Sequence, residues 1–413
     1  MDNLHNIDEK IYQYIFSPNS ELKQQLSHNI HQQAYVQGIR LSSINNLYLA
    51  FGRQEVAGFT VPAFNLRTLT YDIARIIFAL AKEKQVGAFI FEIARSEMRY
   101  TNQTPQEFVT AILAAAIKEK YCGPIFIQAD HFQFNSRLFQ TKPEEEINRL
   151  KALISEAIAA GFYNIDIDAS TLVNLEEKDL LKQQENNAKL TALMTRYIRL
   201  LEPKGLSISI GGEIGHIGGR NSTLDDFKAF MDLYLPLINC QGISKVSVQT
   251  GSRHGGTLLK NNTIAPVEID FTVLKTISEK AQEQYQIGGS VQHGASTLPD
   301  NLLSQFPKNK TLEIHFATGL QNIIYDSLPN DLKQEIYQWL KDNFSQEWSA
   351  DLTQEQFLYQ TRKKALGQFK EKIWRLKEEE KFPIKDKIQQ KLTLIFEKLN
   401  LINTQKIVNN YLL

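Results

Sequence analysis

Eight times between Gly58 and Gly319, a short apolar segment rich in β-branched residues is followed by a longer stretch of helical period, and few architectures accommodate that alternation. The predicted strands are GFTVPAFN (58 to 65), VGAFIFEI (86 to 93), GPIFIQAD (123 to 130), YNIDIDAS (163 to 170), LSISIGGEI (206 to 214), KVSVQTG (245 to 251), GGSVQHGAS (288 to 296) and TLEIHFATG (311 to 319). Between them lie stretches such as TPQEFVTAILAAAIKEKY, where the spacing of Phe108, Ile112 and Ala115/Ala116 suits a helix packed on a sheet. Eight parallel strands close naturally into an α/β (β/α)8 TIM barrel. An open doubly wound sheet usually has fewer strands and a glycine fingerprint after the first, and neither GxGxxG nor GxxxxGK[ST] occurs here. The predicted organisation is a helical N-terminal extension over 1–55, the barrel over 56–340 and a helical C-terminal extension over 341–413.

With 42% hydrophobic residues in 413, the chain can bury a large core. Lys plus Arg and Asp plus Glu balance at 46 each, so no overall field draws it to nucleic acid or to an anionic membrane, and a small, locally recognised ligand is favoured. Cys122 and Cys240 provide neither a disulfide framework nor a CxxC metal site. No apolar run approaches about 18 residues, so no membrane span or signal peptide is expected. A cytoplasmic location fits.

Barrel active sites lie at the C-terminal ends of the strands, and chemically able residues collect there in this sequence. Asp130 and His131 end the third strand, Asp168 and Ser170 the fourth, and Glu213 the fifth. His254 follows the sixth, while His293 and His315 lie on the seventh and eighth. Counting His216, five of the eight histidines fall on this rim. A lone histidine at a strand end is more often a hydrogen-bonded structural residue, but several imidazoles and a carboxylate in a ring suit zinc or a related divalent ion. His131, His254, His293 and Glu213 form the candidate ligand set. The turns GSRHGGTL, QHGAST and FATG offer backbone N–H groups beside Ser296 and Thr318, in a region of the barrel that commonly binds phosphate, although the same glycines also permit tight βα turns.

At these residues the sequence resembles the class II, metal-dependent fructose/tagatose-bisphosphate aldolases, from about Gly58 to Asp326. The likeness rests on VPAFN, QADH, GFYNIDIDAS, GGEIGHIGG, TGSRHGG, QHGAS and the ATG closing the eighth strand, in that order. The resemblance implies that His131, Glu213, His254 and His293 hold the metal and that Asp130 is the acid/base serving the substrate hydroxyl. It further implies that Gly255, Gly294, Ser296 and Thr318 hold a phosphate, with Asn65 lining the pocket. The cofactor would be Zn2+ or another divalent ion, with a monovalent cation as a further candidate, and the assembly a homo-oligomer, dimer or larger.

The sequence departs from the family in several places. GGRNSTLDDF is short where many relatives carry an acidic lid, and its nearby acids are Asp225 and Asp226. His315 stands where the family usually has Asn, and is assigned to substrate binding. Ala94 occupies the place of a familiar serine. In YQTRKKALGQFKEKIW (359 to 374), Arg362 or Lys363 is the candidate contact for the phosphate farther from the metal, against the alternative of a docked helix with solvated bases. The expected reaction is reversible aldol cleavage of fructose-1,6-bisphosphate, or tagatose-1,6-bisphosphate, to dihydroxyacetone phosphate and glyceraldehyde 3-phosphate. A sugar-phosphate epimerase or isomerase on the same metal site and a non-catalytic aldolase-like subunit are the competing readings. A Schiff base on Lys245 is disfavoured because that residue opens its strand, far from the C-terminal rim.

Overall fold

Apolar strands that alternate with amphipathic helices bury both faces either under helices on two sides or by closing the sheet on itself inside one ring of helices, and this chain does the second. The computed structural model describes residues 7–412 apart from 216–218, 252–257, 262, 264, 266–267 and 296–297. Among these residues nine parallel strands form: β1 (Arg40–Ser42), β2 (Val61–Asn65), β3 (Ile90–Ala94), β4 (Pro124–Gln133), β5 (Asn164–Asp168), β6 (Ser209–Glu213), β7 (Lys245–Val248), β8 (Ser290–Gln292) and β9 (Glu313–Phe316). Strands β2 to β9 pair in sequence, and β9 returns to pair with β2, closing an eight-stranded barrel. Each of the eight predicted segments contains its strand or overlaps it. The helix expected after the second barrel strand runs Pro105–Glu119, with the Thr104 hydroxyl accepting from Glu107 N–H at 3.2 Å as its N-terminal cap.

The extension over 1–55 is helical at Ile7–Phe16, Ser20–Val36 and Asn45–Gly52, but it also contributes the unexpected strand β1. The tilt of a barrel explains it: β4 pairs with β5 only from Gln128 onward, leaving the lower edge Pro124–Phe126 open, and β1 pairs with those three residues. The following chain seals the lower mouth. Ile44 N–H donates to Asn164 Oδ1 at 2.9 Å, Ser209 N–H donates to Ser43 Oγ at 3.0 Å, and Tyr48, fully buried, donates its hydroxyl to Glu313.

At the other end of the chain, the helix Asn330–Phe344 runs across position 340, and Glu378–Lys398 lies on the outer helical ring against Thr70–Glu83 and Thr318–Ser327. The charge run in that last helix is solvated on one side, while Ile384, Ile388, Leu392, Ile395 and Phe396 are buried on the other, with Lys381 reaching Asp72 at 3.2 Å. Among the described residues, no helix is long and apolar enough to cross a membrane.

Candidate active site

Neighbouring residues on a regular strand point to opposite faces, so Asp130 and His131 could not both enter the barrel from a flat β4. The strand breaks that rule with a bulge: the register with β5 shifts between Ala129 and Phe132, and His131 takes φ of 42°. Both side chains then join one cluster at the floor of a cavity of about 1280 Å³ at the C-terminal mouth. Asp130 Oδ1 lies 3.8 Å from His131 Nε2, 3.5 Å from His293 Nε2 and 3.5 Å from His315 Nδ1. On its other side, His131 Nδ1 lies 3.1 Å from Glu213 Oε2 and 3.2 Å from Asp168 Oδ2. Asp168 is fixed in turn by Ser170, whose N–H and hydroxyl donate to Oδ1 at 3.0 and 2.7 Å, and by the Gln133 amide on Oδ2.

Burial raises every carboxyl here, and the neighbours decide the outcome. The charges of His131 and the contacts of His293 and His315 overcome burial and hold Asp130 well below the usual carboxylate range, so it is ionised. Glu213 is pushed up to about 7 by burial and then by the charge of Asp168. Burial and the neighbouring His315 and His131 push His293 well below the ordinary range, which keeps it in the neutral form a metal ligand requires. Burial opposes the charge on His131, but Asp130 and Glu213 outweigh it and raise the imidazole.

The donor set fits a divalent ion. Asp130, His131 and His293 present ligand atoms mutually within 4.8 Å, and so, separately, do His131, Asp168 and Glu213. Of the expected ligands, His293 lies beside His131, with ring centroids 4.2 Å apart, and Glu213 lies against His131 Nδ1. His254, Gly255, Ser296 and His216 lie outside the described residues. Asn65, Gly294, His315 and Thr318 line the cavity, and Thr318 opens the helix Thr318–Ser327, whose free N–H groups favour an anion. Asn65 donates to Glu97 Oε2 at 2.6 Å, and Glu97 also pairs with Arg67 at 2.6 Å.

Of the two bases expected at the second phosphate, Arg362 is not among the residues lining the cavity. It is buried beneath it, with its guanidinium over the rings of Tyr325 at 5.1 Å and Tyr359 at 4.6 Å and bonded to Asn322, whereas Lys363 lines the cavity together with Arg67. The alternation of one residue in a short 3-10 turn, Arg362–Ala365, decides which base faces the opening. Asp226 is no lid either: it caps the helix Leu224–Tyr234 and pairs with Arg220 at 2.6 Å.

Sequence reasoning missed the layer below. His315 Nε2 is 2.7 Å from Glu313 Oε1, and its Nδ1 is 2.9 Å from Glu92 Oε2. Lys245 Nζ, fully buried, donates to Glu313 at 2.6 Å and Gln128 at 2.7 Å and lies 2.9 Å from Asp166. Those carboxylates outweigh the effect of burial and raise the Lys245 pKa, so it stays an ammonium and cannot act as an imine-forming nucleophile. Burial, then the charge of Asp130, pushes Glu92 up to about 7. The signal available beforehand was the single acid inside otherwise apolar strands, as in FIFEI and TLEIHF.

A closed parallel barrel with histidines and carboxylates converging at its C-terminal mouth is the site of a barrel enzyme able to hold a metal. The chain belongs to the class II fructose-bisphosphate aldolase family, whose model matches residues 47–381. No curated protein sequence matches the chain. Among solved structures, it resembles a fructose-bisphosphate aldolase from Campylobacter jejuni at 16% identity, covering 87% of this chain and 95% of that one with a TM-score of 0.52. The YdjI aldolase of Escherichia coli K12 is 15% identical, with 88% and 100% covered and a TM-score of 0.50. The fructuronate-tagaturonate epimerase UxaE from Cohnella laeviribosi is 11% identical, with 84% and 82% covered and a TM-score of 0.58. At these identities the likeness is one of fold.

Proposed function

We propose that the chain is a metal-dependent ketose-bisphosphate aldolase that reversibly cleaves fructose-1,6-bisphosphate, or tagatose-1,6-bisphosphate, to dihydroxyacetone phosphate and glyceraldehyde 3-phosphate. The observation that carries this reading is the bulge in β4, which turns an ionised carboxylate and an imidazole into one cavity beside His293. His131 and His293 would hold the ion, the family pattern adds His254, and Glu213, against Nδ1 of His131, would orient that ring. Zn2+ suits these nitrogen donors. When bound, the ion supplies Lewis-acid polarisation of the substrate carbonyl.

Asp130 takes the C4-hydroxyl proton as the C3–C4 bond breaks and returns it in condensation. Asp168, held by Ser170 and Gln133, keeps the His131 ring in place. The helix N-terminus at Thr318 and the backbone at Gly294 receive one phosphate, and Arg67 and Lys363 receive the other. A coupled assay for triose phosphates on both bisphosphates tests the reading. Asp130→Asn should retain metal while losing about 10²- to 10⁴-fold in rate, and near-normal cleavage by that variant would reassign the proton. Epimerisation on the same site is the second reading, favoured by the fold shared with the named epimerase. Product analysis separates the two, since epimerisation releases no triose phosphate.

A further inference from the structure

Arg67 stands just past the end of β2 with its side chain only 13% exposed, and among the described residues three of its five N–H donors are engaged. Nε donates to Glu97 Oε1 at 2.8 Å, Nη2 lies 2.6 Å from the same oxygen, and Nη1 donates to the Gln321 amide oxygen at 2.8 Å. One N–H is left on each terminal nitrogen, which suits two oxygens of one phosphate. The other arginines of the cavity wall are placed differently. Arg95 is bound to buried Glu146 at 2.6 and 3.4 Å, and Arg99 and Arg149 are exposed.

The residues that hold Arg67 are themselves fixed. Glu97 Oε2 accepts from the Ala94 N–H at 2.9 Å and from Asn65 Nδ2 at 2.6 Å. Glu97 lies in the helix Arg95–Thr101, and Gln321 lies in the helix that Thr318 opens; each is 5% exposed. Two rigid elements therefore aim one guanidinium, and the second also carries the N-terminus assigned to the other phosphate. Lys363 is close enough for the charge of Arg67 to lower its pKa, after the larger effect of burial. Two bases, Arg67 and Lys363, against one acid, Glu97, leave this part of the wall with a positive charge in excess, which an anion offsets.

We propose that Glu97 and Gln321 are positioning residues that hold Arg67 as a fixed clamp for a phosphate on the aldehyde half of the substrate, so that the chain selects phosphorylated over unphosphorylated aldehydes. The clamp rests on the ketose-bisphosphate reading for where the sugar lies. A guanidinium aimed before its ligand arrives loses little freedom on binding, so the contact contributes more to affinity.

The test is calorimetric titration of the Zn2+-loaded full chain with fructose-1,6-bisphosphate and fructose 1-phosphate, which differ only in the far phosphate. Asp130→Asn is present throughout to suppress cleavage. With no other change the bisphosphate should bind on the order of 10- to 100-fold tighter, the worth of charge-assisted hydrogen bonds. The sign of the change in Glu97→Gln is decisive. Removing a negative charge near an anion would, by Coulomb attraction alone, strengthen the bisphosphate, whereas losing a positioning residue should cut its advantage about tenfold. Gln321→Met alters no charge and should cut the advantage about threefold, which keeps the clamp testable if circular dichroism shows that Glu97→Gln has not folded. Equal affinities before either change, an advantage that rises in Glu97→Gln, or equal weakening of both sugars in the two variants would overturn the clamp. Since only binding is measured, an unaltered chain that releases no triose phosphate strikes the cleavage reading and leaves the clamp standing, while equal affinities strike the clamp alone.

Discussion

Arg362 and Lys363 are adjacent bases with different tasks. Arg362 is 5% exposed and stacked on two tyrosines, so Arg362→Ala removes packing as well as charge and should cost about 1–3 kcal/mol of stability. Its affinities for a bisphosphate and for dihydroxyacetone phosphate should fall alike, if at all. Lys363→Ala should leave the melting temperature in place and weaken a bisphosphate about tenfold, or roughly 1.4 kcal/mol, without affecting dihydroxyacetone phosphate. Calorimetric titration of both ligands against both variants checks the contrast, and equal losses in Lys363→Ala would remove it from the phosphate site. Legibility at this scale followed position. Asp130, His131 and His293 stood out because they end strands, while Glu92 and Glu313 did not, because an acid within an apolar strand reads as solvent-facing until the barrel register shows that its side of the strand is the interior. The choice between Arg362 and Lys363 depends on a single turn that carries no periodic signal.

Among elements, the helix Leu224–Tyr234 shows how a missing lid was replaced by a cap. Thr223 and Asp226 satisfy each other's backbone N–H groups, and Arg220 clasps Asp226 from outside. Burial raises the Asp226 carboxyl, but Arg220 and Thr223 outweigh it and bring the pKa below its ordinary value. A depressed folded-state pKa contributes stability above the unfolded value that is lost as pH falls toward the folded one. Asp226→Asn should therefore cost about 1 kcal/mol in urea unfolding at pH 7, with the difference from the unaltered chain shrinking as pH falls below about 4. A constant difference across that range would mean that the charge contributes nothing. The barrel strands were legible because runs of Val, Ile and Phe mark them. Strand β1 was not, since Arg40, Leu41 and Ser42 carry no alternation and pair only because barrel tilt leaves the foot of β4 open.

For the whole molecule, the sequence suggested a barrel with appended tails, and the packing makes the tails part of the wall. Deleting residues 378–413 would remove Ile384, Ile388, Leu392, Ile395 and Phe396, each worth about 1.5–3 kcal/mol when buried, and would uncover the faces of Thr70–Glu83 and Thr318–Ser327 against which their helix packs. That loss is comparable to a domain's net stability of about 5–15 kcal/mol. The truncated chain should fail to unfold cooperatively, as read by calorimetry, and a normal transition would make the segment a separable appendage.

Among the described residues, the lower mouth is stopped by β1, by the turn at Ser43 and Ile44 and by the Tyr48 hydroxyl on Glu313, so the cavity opens at the C-terminal end of the barrel. Traffic in such a cavity is ordered: whatever sits at the opening controls the departure of whatever lies deeper. A sugar phosphate bound between Lys363 and Thr318 would block the exit route of a metal at His131. Chelator stripping followed over time should accordingly slow when dihydroxyacetone phosphate is present, and an unchanged stripping rate would reveal a second way out.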